Sequence, residues 1–184
     1  GKNWTVIKGN HDRMFGWFLQ DHPKFDMELP VGVDWLNPRL GGDKTLASYG
    51  VNIDETSRYY QVHAAARAAV PAEHLAFLNG LPLHYETEDY IFVHAGIHPD
   101  VALADQTERD RLWIREPFLS HSAPHAKMII HGHTALEAPQ LYSNRLNLDG
   151  GAGYGRPLTP VVIDRKQIFC LGPHGRKRLR HSAL

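Results

Sequence analysis

Apolar residues in this chain fall into short runs, broken by glycine, proline and charge. Trp4-Thr5-Val6-Ile7-Lys8 reads as a strand. Arg13 to Gln20, carrying Met14, Phe15, Trp17, Phe18 and Leu19, reads as a helix stopped by Pro23. Residues 26–50 are loop-rich, with Pro30, Pro38, Gly41 and Gly42 as breaks, and short helical pieces are expected at Trp35-Leu36 and Leu46 to Tyr49. Asp54 can cap a helix from Glu55 to Val70. Pro71 can open the next helix, with Gly80 just past its end. Residues 26–82 thus predict a mostly helical insertion beside a sheet. Strands follow at Tyr90 to Val93, Lys127 to Ile130, Arg145 to Leu148, Pro160 to Ile163 and Ile168 to Leu171. Asp164 to Gln167 reads as a hairpin turn between the last two. The basic Arg176-Lys177-Arg178-Leu179-Arg180 reads as a solvated terminus.

A chain of 184 residues suits one domain, and 42% apolar residues suffice for a sizeable core. Lys+Arg and Asp+Glu both number 20, so no global field favours nucleic acid or an anionic membrane. No apolar run is long enough to span a bilayer. The single cysteine, Cys170, excludes an internal disulfide framework and a Cys-rich zinc site, and fits a reducing, cytoplasmic location. A metal site must then be built from His, Asn, Asp and Glu. Such donors suit Mn, Fe, Zn or Mg.

Four apolar runs end alike. Val6-Ile7-Lys8 leads into Gly9-Asn10-His11-Asp12, and Phe92-Val93 into His94-Ala95-Gly96. Ile129-Ile130 leads into His131-Gly132-His133-Thr134, and Leu146-Asn147-Leu148 into Asp149-Gly150-Gly151. Parallel strands in one sheet would bring these mouths together, and open α/β sheets build their sites there. Asn10, His94 and His133 could then bind one divalent metal. Asn-His-Asp alone also reads as a turn and a helix cap, with Asp12 accepting backbone amides.

The ordered set Gly9-Asn10-His11-Asp12, His94-Ala95-Gly96 and Gly132-His133-Thr134 resembles the calcineurin-like metallophosphoesterases. The nearer resemblance is to the phosphoprotein phosphatase branch, which holds bacterial serine/threonine phosphatases and symmetrical diadenosine tetraphosphatases. Gly41-Gly42 with Thr45-Leu46 and Ser48-Tyr49-Gly50, Leu112-Trp113-Ile114-Arg115, and Asn147-Leu148-Asp149 support it.

The resemblance implies an α/β (α+β) fold, a four-layer α-β-β-α sandwich, and two divalent metals roughly 3.5–4 Å apart activating a hydroxide. Mn is the first expectation, with Fe or Zn next. Asn10, His94 and His133 become ligands of one metal. His11 becomes the acid that protonates the leaving oxygen. Arg115 is the candidate for holding phosphate, with Arg13, Arg39 and Arg145 as rivals, and Tyr154 is a further substrate-binding candidate. Asp12 and His131 are left open between site and structural roles. The substrate would be a phosphoserine or phosphothreonine protein or a dinucleoside polyphosphate, with no nucleic acid or membrane partner.

The family's Asp-x-His and Gly-Asp-x-x-Asp-Arg motifs do not precede Gly9 in this sequence. The first strand–helix–strand portion, the ligands specific to the other metal and the bridging carboxylate go with them. The chain is therefore expected to be N-terminally incomplete and inactive alone. The alternative is a non-catalytic remnant that binds metal or a partner.

Overall fold

The computed structural model describes residues 4–182 and shows a mixed α/β protein with a five-stranded and a three-stranded sheet. Contacts divide the chain into two compact units. One holds the stretch ending at Ile7 together with everything from Pro82 onward, and the other is Lys8–Leu81.

The first unit is built on three apolar runs. Strands β1 (His84–Glu86), β2 (Tyr90–Val93), β3 (Met128–His131), β4 (Gln140–Leu141) and β5 (Arg145–Asn147) form one sheet in the order β1-β2-β3-β5-β4. The central strands β2, β3 and β5 run parallel, and the edges β1 and β4 are antiparallel. Parallel neighbours need a crossover, and the one between β2 and β3 carries α5 (Glu108–Trp113).

Side chains alternate across a strand, so the unbroken Tyr90-Ile91-Phe92-Val93 serves two cores. Ile91 and Val93 join Ile129, Ile114 and fully buried Phe118 on one face. Tyr90 and Phe92 join Ile130, Leu146 and Ile168 on the other. Ile168 belongs to the second sheet, β6 (Val161–Asp164), β7 (Gln167–Gly172) and β8 (Gly175–Arg178), an antiparallel meander. The two sheets therefore pack face to face, with the α5 segment against the outer face of the larger one. Each fully buried aliphatic or aromatic side chain here contributes on the order of 1.5–3 kcal/mol.

The second unit is all-helical: α1 (Asn10–Phe18), α2 (Gly42–Ser48), α3 (Tyr59–Ala69) and α4 (Ala72–Gly80). Met14, Phe15 and Phe18 form the buried face of α1. Phe15 stacks on Trp35 at 4.9 Å between ring centres, and Phe18 meets the same indole at 5.1 Å. A buried ion pair, Arg13 Nη2 to Asp26 Oδ2 at 2.7 Å, ties α1 to the following loop. The helical stretch expected over residues 26–82 lies in this unit.

Several local expectations are corrected. Residues 4–8 form no strand, because a run becomes a strand only when its N–H and C=O groups find a ladder, and neither sheet pairs with them. Helix α1 begins at Asn10 rather than Arg13, with Gly9 as its cap residue. Asp54 does not cap a helix. Its Oδ1 accepts the Thr56 amide at 2.9 Å and the Thr56 hydroxyl at 2.7 Å, and this local turn delays α3 to Tyr59. Trp35-Leu36 is a turn, closed by the Leu36 amide donating to Asp34 Oδ1 at 3.0 Å, whereas Leu46–Ser48 does lie in a helix, α2. The basic segment is solvated as expected, but it is also ordered. Most of it is β8, whose residues are solvent-exposed yet hydrogen-bonded to β7.

Candidate metal centre

Because β2, β3 and β5 are parallel, their C-terminal mouths lie along one edge of the sheet. Val93 runs into His94, His131 into Gly132-His133, and Asn147 into Leu148-Asp149. Backbone bonds pin these mouths to each other. The Gly132 amide donates to the His94 carbonyl at 2.8 Å, and the Leu148 amide to the His131 carbonyl at 2.7 Å. The Ala95 amide donates to the Arg111 carbonyl at 2.8 Å, which fixes the His94 loop to α5.

His133 has a backbone φ of +65°, and the Thr134 amide donates across it to the Gly132 carbonyl at 2.7 Å. That is a three-residue γ-turn of the rarer, strained hand. A non-glycine residue held so costs on the order of 1–3 kcal/mol, and such strain clusters at functional sites. The turn carries the His133 ring to His94, with Nδ1 of His133 3.2 Å from Nε2 of His94 and the rings inclined at 64°. Trp113, at the end of α5, meets His133 edge-on at 5.5 Å.

Asn147, 2% exposed, supports the turn from β5. Its Nδ2 donates to the Thr134 carbonyl at 2.9 Å, and its Oδ1 accepts the Asp149 amide at 2.8 Å. Asp149 in turn accepts the Gly151 amide at 2.9 Å.

The facing nitrogens fit a shared cation. Two imidazole nitrogens about 2.0–2.1 Å from one metal, at tetrahedral to octahedral angles, stand roughly 2.8–3.4 Å apart. Without metal, the same spacing serves an N–H of one ring donating to the bare nitrogen of the other. Among the described residues no group of three or more His, Cys, Asp or Glu side chains converges, so the centre here is an imidazole pair.

His131 is 2% exposed and stands apart from that pair. Its ring packs edge-on to Phe118 at 4.9 Å, and its Nδ1 lies 3.1 Å from the Gly132 carbonyl. Burial, above all, pushes its pKa down to about 4, with the charges of Arg145 and His94 adding to the effect. The ring is neutral at physiological pH.

The other sequence-predicted residues are placed as follows. Asn10 and His11 occupy the first turn of α1, in the helical unit. Asn10 is buried, and the His11 side chain reaches solvent. Burial lowers the His11 pKa, against the raising influence of Asp12 and the Leu40 backbone. Asp12 closes the start of the helix, its Oδ2 accepting the Gly9 amide at 2.7 Å. Of the arginines, Arg13 is committed to Asp26, and Arg145 donates to the Leu119 carbonyl at 2.9 Å while lying 3.7 Å over the Tyr142 ring. Arg115 and Arg39 are exposed. Arg115 lies two residues beyond Trp113. Tyr154 is exposed on a 3₁₀ turn, Ala152–Tyr154.

Sequence reasoning did not anticipate the work of Trp113 or Asn147. A polar Asn inside the wholly buried Arg145–Asn147 strand was the available signal.

No protein-family model and no curated protein matches the chain. Among solved structures, the chain is similar to the crystal structure of a metallophosphoesterase from Sphaerobacter thermophilus, at 16% identity and a TM-score of 0.35. The match covers 96% of this chain and 66% of the other, so the chain spans just under two thirds of that protein's length. Among the described residues no helix is long and apolar enough to cross a membrane.

Proposed function

We propose that this chain carries part of the active centre of a metal-dependent phosphoesterase. The observation that supports this most is the strained turn that holds His133 against His94 at the mouth of a parallel sheet. A fold keeps such strain only where its surroundings over-determine it. Two imidazoles at metal-ligand spacing are a sufficient reason.

His94 and His133 would hold a divalent cation, with Mn as the first choice and Fe or Zn as alternatives. The bound cation would polarise phosphoryl oxygen and make a bound water more acidic. The motif resemblance adds Asn10 as a further ligand and His11 as the acid that returns a proton to the leaving oxygen. Burial holds the His11 pKa down, and a phosphate dianion beside it would work the other way, so substrate binding and protonation favour each other. Arg115, exposed and close in sequence to Trp113, would hold phosphate oxygens in its planar fork. The substrate class is a phosphomonoester, as on a phosphorylated protein, or a dinucleoside polyphosphate. In the family that the motifs resemble, a second metal and its carboxylates belong to Asp-x-His and Gly-Asp-x-x-Asp-Arg motifs, and a two-metal centre would need both.

Mn-dependent hydrolysis of p-nitrophenyl phosphate tests the reading. The chain is assayed alone and joined to a segment bearing both motifs. Turnover should require that segment and disappear in His11→Asn, while metal binding by His11→Asn persists. Metal binding without turnover in the joined protein would instead make this a binding module.

A further inference from the structure

The chain's zero formal charge hides a local imbalance. In the sheet-rich unit a cavity of about 1000 Å³ opens beside β7, β8 and the segment leading into β4. Lys166, Lys177, Arg178 and Arg180 line it, and among the described residues no carboxylate does. Lys166 is paired with Asp89 at 3.0 Å. Lys177, Arg178 and Arg180 make no ion pair among the described residues.

Register explains the arrangement. Lys177 pairs across from Cys170, and the Leu179 amide donates to the Ile168 carbonyl at 2.8 Å. Alternation then puts Ile168, Cys170, Lys177 and Leu179 on the same face of the sheet. The cavity therefore has an aliphatic floor of Leu141, Ile168 and Leu179 under a cationic rim. Beyond β8 the chain returns to the larger sheet, where His181 bridges to Leu141 and the Ser182 amide donates to the Leu141 carbonyl at 2.8 Å.

Cations on an edge strand also discourage pairing with another chain. That role needs charge on the outer edge, but neither a cavity nor an apolar floor. Charge and floor together, in a volume suited to a small ligand, describe a receptor for an amphipathic anion. We propose that this cavity binds a small organic phosphate, its body on the aliphatic floor and its phosphates against Lys177 and Arg180. The proposal does not depend on the metal centre.

The test titrates the chain with ADP, and with inorganic tripolyphosphate as the body-free control, by calorimetry. Alkylation of Cys170 by iodoacetamide gives a second readout, because this lone thiol lines the cavity. ADP should bind more tightly than tripolyphosphate and slow alkylation. Lys177→Gln/Arg180→Gln, at exposed or partly exposed positions, should weaken ADP by about tenfold or more with an unchanged melting temperature. His133→Ala should leave ADP affinity unchanged. The proposal is overturned by no ADP binding at millimolar concentration, by an affinity indifferent to the double substitution, or by tripolyphosphate binding as well as ADP.

Discussion

Replacing His133 separates the strain from the function it serves. At φ +65° with an i to i+2 backbone bond, a residue with a Cβ carries roughly 1–3 kcal/mol of strain. Glycine does not, although its freer unfolded chain costs about 0.4–1 kcal/mol. His133→Ala keeps the strain and loses the ring contacts with His94 and Trp113, so it should be the less stable variant. His133→Gly loses the same contacts but relaxes the turn, and should exceed His133→Ala by roughly 1 kcal/mol. In a chain of this length that is about 2–4 °C in melting temperature. At an ordinary helical or strand position the order would be reversed. Both variants should lose metal affinity by more than about 100-fold, beyond the loss usual for an outer-shell partner. Urea midpoints and melts in chelator give the stability half, and metal titration gives the other. Equal or greater stability of the alanine variant would refute the strain argument.

The other predictions concern the walls of the site. A Cβ at Gly96 would overlap the ring of Phe118, which is fully buried and cannot retreat, whereas one at Gly132 would stand 3.5 Å from Asp149 Cβ, an ordinary contact. Gly96→Ala should therefore cost about 1–3 kcal/mol and Gly132→Ala well under 1, read from paired melts. His131 is held near pKa 4 when folded and returns to 6.5 when unfolded, so protons favour the unfolded chain. Its contribution is intact above pH 6.5 and is lost as pH falls toward 4, up to about 3 kcal/mol. Urea midpoints of metal-free protein at pH 7 and 4.5 should fall less steeply for His131→Leu than for the native chain. Asn147→Ala removes the bonds to Thr134 and Asp149, and should cost about 2–4 kcal/mol and lower metal affinity some 10–100-fold. Unchanged affinity in a stably folded variant would mean that the turn does not depend on β5.

Legibility in the sequence followed the physics of each element. Strands β2 and β3 were readable because a buried strand is a near-continuous apolar run, as in Tyr90-Ile91-Phe92-Val93 and Met128-Ile129-Ile130. Residues 4–8 look the same locally, but pairing is decided by a partner that local pattern cannot supply. Strand β8 escaped for the opposite reason. Gly175-Arg176-Lys177-Arg178 has no apolar residue, and its order comes from the ladder to β7. The hairpin between β6 and β7 was expected from four polar residues, yet Arg165 and Lys166 both sit at positive φ, where Asn-Gly is the usual choice. At the site, the repeated grammar of an apolar run followed by histidine and glycine pointed to His94 and His133. It could not show the γ-turn, because a positive φ at histidine has no sequence signature. Nor could it show that the space beside Gly96 is taken by the Phe118 ring.

The central claim is that His94 and His133 are metal ligands, and Mn²⁺ titration of the chain, with free ion read by electron paramagnetic resonance, tests it most directly. The account predicts binding by the native chain that is lost in His94→Ala and in His133→Ala while both variants stay folded. Native-like binding in either variant, or no binding by the native chain, would contradict it.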